Sequence, residues 1–231
     1  LVLVFAFRGP LRQLSVISRA LAPWTHYAVV CGLGWKGNAL VRELMDEGHY
    51  VTVIERNENS PFADALMAEG VAVYFDDATS PDALRRAHVN RADKVYIVCQ
   101  QDEMNCRILN QLLSVPPKRS KALPCFMDLV HPDLRNYLAN AVADHGQRKL
   151  TVTCFNTSET TARTVLHKHP VDRFDTGKDA PQQTARVVIV GDNHQARALL
   201  TQVLRTGHFA PGRDLRVAMM STNPTALAND L

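Results

Sequence analysis

The hexapeptide Gly32-Leu33-Gly34-Trp35-Lys36-Gly37 follows a β-branched apolar run at 27–31 and opens a stretch carrying Ala39, Leu40, Val41, Leu44 and Met45 at helical spacing. Glycines spaced G-x-G-x-x-G between a strand and a helix leave few folds open. The first permits a tight turn, the second lets backbone approach a pyrophosphate with no Cβ in the way, and the third lets the helix pack close to the sheet. Unsatisfied N–H groups at the start of such a helix face the phosphate. Glu55 closes the next apolar run, 23 residues after Gly32, where a carboxylate can accept hydrogen bonds from both ribose hydroxyls. The combination predicts an adenine-nucleotide site. The residues alone leave one alternative, a glycine-rich turn that has lost its ligand. A carboxylate would repel a 2′-phosphate, so NAD, NADH or another nucleotide with a free ribose is expected rather than NADP. Arg56 either stacks on adenine, offsets phosphate charge, or is an ordinary exposed arginine.

Apolar runs recur at 27–31, 50–54, 71–75, 94–98, 123–127 and 150–155, separated by amphipathic segments such as Ala63, Leu66 and Met67, or Ile108, Leu109, Leu112 and Leu113. Short strands alternating with helices predict an α/β fold, a doubly wound parallel sheet of Rossmann-like type. A helix over 158–169, capped by Asn156, Thr157 or Ser158, closes a first domain at 26–169. The polar, proline-containing stretch 170–184 is the linker. Residues 185–231 then repeat the opening order of strand, glycine, helix, Gly-His pair and strand. This second Rossmann-like unit is degenerate: Gly191 matches Gly32, but Asn193 and Ala196 replace the other glycines, and Ser221 or Thr222 stands in place of Glu55. Its last elements can lie beyond Leu231. Residues 1–25 form an N-terminal linker. Their apolar start, followed by Arg8, Arg12 and Arg19, suits either the end of an upstream membrane segment or an edge strand docked on the domain.

A net charge of +3, with basic and acidic residues interspersed, gives no nucleic-acid footprint. The five cysteines are far apart in sequence and mostly inside strand-like runs, which predicts reduced, buried thiols rather than redox or metal chemistry. His167 and His169, two apart, do not share a helix face, and no metal site is assigned.

Two later stretches reach the carboxyl ends of strands, where open α/β sheets bind ligands. Asp76, Asp77, Ala78 and Thr79 follow the third strand; Cys99, Gln100, Asp102 and Asn105 follow the fourth. For Asp77 and Thr79 helix capping is the alternative. The order VVCGLGWKG, VTVIERN, GVAVYFDDATSPDAL and KVYIVCQQDEMN resembles the nucleotide-binding domain that regulates potassium conductance, the RCK or Trk-type N-terminal domain. The resemblance covers about residues 26–145 well and suggests, more loosely, a crossing helix and a tandem RCK-like unit beyond.

That resemblance implies an intracellular sensor on the cytoplasmic face of the membrane, paired as a homodimer or higher ring. It would transmit nucleotide or ion binding to a channel or transporter segment, upstream in the same chain or in a separate subunit. It also implies that Gly32, Leu33, Gly34, Trp35, Lys36 and Gly37 surround the pyrophosphate. Glu55 and Arg56 would hold the adenosine ribose, Asp77, Ala78 and Thr79 the adenine side, and Cys99 and Gln100 the remaining pocket. NAD or NADH is the implied cofactor, with AMP, ADP or ATP as alternatives. This chain departs from the family in having Trp35 where arginine is frequent and Asp76 where glycine is usual. The competing reading is an NAD-dependent oxidoreductase. It needs a proton-transfer group beside the cofactor, and neither a Tyr-x-x-x-Lys spacing nor another such constellation is evident.

Overall fold

The computed structural model describes residues 26–115, 122–144, 150–171, 183–207 and 213–221. The chain divides into two compact units, up to Phe155 and from Asn156 onward. In the first unit the elements are β1 (Tyr27–Cys31), α1 (Trp35–Asp46), β2 (Tyr50–Glu55), α2 (Ala63–Ala68), β3 (Ala72–Phe75) and α3 (Pro81–Arg86). A 3-10 turn (Val89–Arg91) then leads into β4 (Lys94–Ile97), α4 (Asp102–Ser114), β5 (Leu123–Asp128), α5 (Pro132–Asp144) and β6 (Leu150–Phe155).

All six strands are parallel, in the order β3-β2-β1-β4-β5-β6. A strand covered on both faces needs apolar residues at every position, and β1 is fully buried along its length. Its residues divide by parity between two cores. Tyr27, Val29 and Cys31 join Ile97, Cys125, Met127 and the α4 residues Ile108, Leu109 and Leu112. Ala28 and Val30 join Val53, the α1 residues Val41 and Leu44, and the α2 residues Leu66 and Met67. Helices therefore cover both faces, as the alternating pattern predicts. The strand order reverses between β1 and β4, and open α/β sheets bind ligands in the crevice at the carboxyl ends of the strands flanking such a reversal.

The opposite ends of these strands are tied by polar contacts, one buried and one part-buried. The Tyr27 hydroxyl donates to the carbonyl of Ala87 at 2.5 Å, and its backbone N–H donates to Asp93 at 2.8 Å. Both contacts link β1 to the segment entering β4, and so set the register in which Cys31 lies beside Ile97.

The second unit holds α6 (Thr157–Lys168), β7 (Gln183–Val190), α7 (His194–Thr206) and β8 (Arg213–Met220). Asn156 caps α6 by accepting from the N–H of Glu159 at 3.1 Å. β7 and β8 form a two-stranded parallel sheet, with Ile189, Ala196 and Leu200 as the centre of a small core. The division falls ahead of α6 rather than after His169, because α6 packs along α7. The N-terminal stretch 1–25 and most of the expected linker lie outside the described residues. Among the described residues no helix is long and apolar enough to cross a membrane.

Tyr27→Phe keeps the ring and removes the hydroxyl from a buried carbonyl. It should lower the unfolding free energy by about 1–3 kcal/mol in urea denaturation, with the denaturant slope unchanged.

Candidate functional site

Three glycines build the turn after β1, each in a different way. Gly32 has φ of +102°, in the left-handed region, and donates its N–H to the carbonyl of Ile54 at 2.9 Å. A Cβ there would lie 3.1 Å from the sulfur of Cys99 and 3.2 Å from its backbone nitrogen, so the turn closes directly on the end of β4. At Gly37 a Cβ would come within 2.1 Å of the Gly32 carbonyl oxygen. Packing within the chain accounts for both.

Gly34 is different. It caps α1 with φ −81° and ψ −166°, a conformation open to any residue, and a Cβ there would meet nothing within 4 Å. The space above it is open at the start of α1, where backbone N–H groups lack intrahelical partners.

Glu55 borders this space from the end of β2. Its Oε2 accepts from the Leu33 N–H at 2.6 Å and its Oε1 from the Asn57 N–H at 2.7 Å. The acid therefore shapes the turn as well as lying beside it, and an ionised carboxylate has about four acceptor positions, leaving capacity for hydroxyls. Leu33 is 2% exposed and turns its side chain into the core. Its carbonyl accepts from the Ser60 hydroxyl at 3.3 Å.

Trp35 is 81% exposed, edge-on to Phe62 with ring centroids 5.1 Å apart. Lys36 forms an ion pair with Asp128, a 2% exposed residue at the end of β5.

The later segments converge on the thiol of Cys99. Burial chiefly, and then the Glu55 carboxylate, push this thiol up to about 11; Asp77 adds to the rise, while Arg56 and Lys36 oppose it. Four sequence-predicted residues from three separate segments are thus near enough to act on one sulfur at the β1–β4 crevice. Asp77 is held below the usual carboxylate range, first by the N–H of Thr79 and then by its hydroxyl, at 2.8 and 2.7 Å. That geometry is a local turn ahead of α3, which Ser80 caps. Ala78 is buried, whereas Arg56 and Gln100 are exposed.

Residues 28–146 match the TrkA-N domain family. The chain belongs to this family. An uncharacterized protein of Methanocaldococcus jannaschii is 32% identical over 103 residues, 43% of this chain and 21% of that protein, so the match spans about a fifth of the relative's length. Among solved structures, a point mutant of GsuK superposes with a TM-score of 0.58 at 15% identity, covering 97% of this chain and 54% of that one. GsuK bound to ADP superposes with a TM-score of 0.55 at 15% identity, covering 94% and 52%.

Within the TrkA-N domain, Asn105 and Asp102 prove to be structural. Asn105 is 1% exposed; it accepts from the Cys99 N–H at 3.0 Å and donates to the carbonyls of Cys99 and Asp128 at 3.1 and 2.8 Å. Asp102 accepts from the N–H groups of Val130 and His131. Together they hold the ends of β4 and β5 in register. Sequence reasoning missed Asp128, although an acid closing an apolar run, as Glu55 closes β2, is the pattern that could have found it. Among the described residues no group of three or more histidine, cysteine, aspartate or glutamate side chains is placed to hold a metal ion.

The turn after β7 repeats the first one at its first glycine and departs from it at the helix start. Gly191 has φ of +114° and donates to the carbonyl of Met220 at 2.8 Å, as Gly32 does to Ile54. Asn193 then takes the place of Gly34, with φ −71° and ψ 173°, and its own Oδ1 accepts from the Ala196 N–H at 2.9 Å. The side chain itself occupies the helix start. Ser221 donates to Asp192 at 2.7 Å, so the Glu55–Leu33 link is replaced by a side-chain pair.

Gly37→Ala should destabilise the protein by about 1–3 kcal/mol or more, because a backbone carbonyl must move. Gly34→Ala should change stability by less than about 1 kcal/mol. Thermal unfolding of both variants separates the glycine required by packing from the one that is not.

Proposed function

We propose that this chain is a regulatory module that binds one adenine nucleotide, NAD or NADH, in its first unit and does no chemistry on it. The observation that carries the reading is Gly34. Neither backbone conformation nor packing requires glycine there, and the second unit places an asparagine in nearly the same conformation. A glycine that the chain does not need for itself is accounted for by a ligand that comes as close as a Cβ would. A pyrophosphate at the start of α1 meets this description, with the ribose on Glu55 and the adenine toward Asp77, Ala78 and Thr79. Cys99 and Gln100 border the remaining space. ADP is the first alternative ligand, since a channel of the same fold, GsuK, has been solved with ADP bound; AMP and ATP follow.

Family membership and this architecture support a role on the cytoplasmic face of a membrane, where nucleotide occupancy biases a potassium or other cation channel or transporter. A sensor needs only differential affinity between two conformations. The competing oxidoreductase reading needs a group that moves a proton as hydride transfers; burial pushes the Cys99 thiol up to about 11, which leaves little thiolate to act as base or nucleophile. Pairing of TrkA-N domains into a homodimer or ring is part of the proposal. The second unit serves as a structural or interaction unit, because Asn193 fills the helix start that a phosphate would use.

Calorimetry should give one NADH or ADP per chain. Gly34→Val should abolish binding while the fold remains, and Glu55→Ala should weaken it at least about tenfold. NADH absorbance should stay constant in the presence of a panel of carbonyl substrates. Two equivalent nucleotides per chain, or steady NADH oxidation, would contradict the proposal.

A further inference from the structure

The Lys36–Asp128 pair joins two elements that packing alone would leave independent. Lys36 is the second residue of α1, two positions after the open one at Gly34, and its side chain is 29% exposed. Asp128 ends β5 and lies two strands from β1, about 10 Å away at ordinary strand spacing. Lys36 therefore reaches across the end of β4 to a carboxylate on the far side of the crevice. Its ammonium is still near enough to lower the proton affinity of the Cys99 thiol. Among the described residues Asp128 is the ion-pair partner of Lys36. Any phosphate over Gly34 would be a second anion close to the same cation.

We infer that Asp128 is a further residue of the nucleotide site, setting its affinity by competing with the pyrophosphate for Lys36. This inference rests on the nucleotide-binding reading above. A carboxylate and a phosphate both take charge-assisted hydrogen bonds from an ammonium, and stretching toward β5 draws that ammonium away from the β1–β2 side, where Gly34 and Glu55 lie. Asp128 is a positioning residue in this account: it acts on the ligand only through where it holds Lys36. Its backbone carbonyl is also held by Asn105, so a shift of Lys36 is felt at the joint between β4 and β5. Because linkage is reciprocal, bound nucleotide must weaken the Lys36–Asp128 pair by the factor by which the pair weakens nucleotide binding.

The test is a double-mutant cycle on ADP affinity, measured by calorimetry on the full chain. Asp128→Asn should tighten ADP binding by about fivefold or more, Lys36→Met should weaken it by a similar factor, and Asp128→Asn should add little in the Lys36→Met background. Unchanged or weaker binding in Asp128→Asn would overturn the inference, as would equal tightening with and without Lys36, which would show a general charge effect. If the wild type bound no ADP or NADH at all, the functional reading would fall and the inference with it. ADP binding without the predicted cycle would remove the inference alone. Where Asp128→Asn does not fold, the wild type answers instead: the Lys36 Nζ resonance, assigned by its loss in Lys36→Met, should shift on adding ADP, and a resonance that stays in place would overturn the inference.

Discussion

The close contact between the start of α1 and the turn after β1 underlies the rest of the site. A Cβ at Gly37 would be 2.1 Å from the Gly32 carbonyl oxygen, so the helix begins directly on top of the turn. The turn in turn abuts Cys99 at the end of β4, at the point where the strand order reverses. These contacts fix where α1 starts relative to the ends of β1 and β4.

Glu55 connects this arrangement to ligand chemistry. Two backbone N–H groups, from Leu33 and Asn57, already satisfy part of its carboxylate. The same group therefore holds the turn and keeps acceptor capacity beyond these two bonds. A loss of affinity on removing Glu55 would combine a lost hydroxyl contact with a loosened turn, which makes Gly34 the sharper probe. Its neighbours Gly32 and Gly37 are explained by the fold, and it is not.

Much of this was legible in the sequence, for identifiable reasons. Strands buried on both faces need apolar runs, so β1, and β2 apart from its buried Thr52, can be read directly, and the glycine spacing fixes where α1 starts. Asn193 and Ala196 showed in advance how the second turn differs. Long-range polar contacts were not legible. The pairing of Lys36 with Asp128 spans 92 positions and depends on β5 lying two strands from β1. Asn105 and Asp102, at the ligand edge of the sheet by sequence, hydrogen-bond the backbone at the ends of β4 and β5. Leu33, expected around the pyrophosphate, contributes its backbone while its side chain enters the core. The placement of α6 beside α7 also escaped the sequence, since an amphipathic helix does not state which neighbour covers it.

The central claim, that the space over Gly34 exists for a nucleotide, is tested most directly by a crystal structure of the chain grown with NADH. The account predicts density for one nucleotide, its pyrophosphate against Gly34 and the first N–H groups of α1 and its ribose hydroxyls on Glu55, with the turn at Gly191 empty. A nucleotide bound elsewhere in the first unit, or at Asn193, with the space over Gly34 left to solvent, would contradict it.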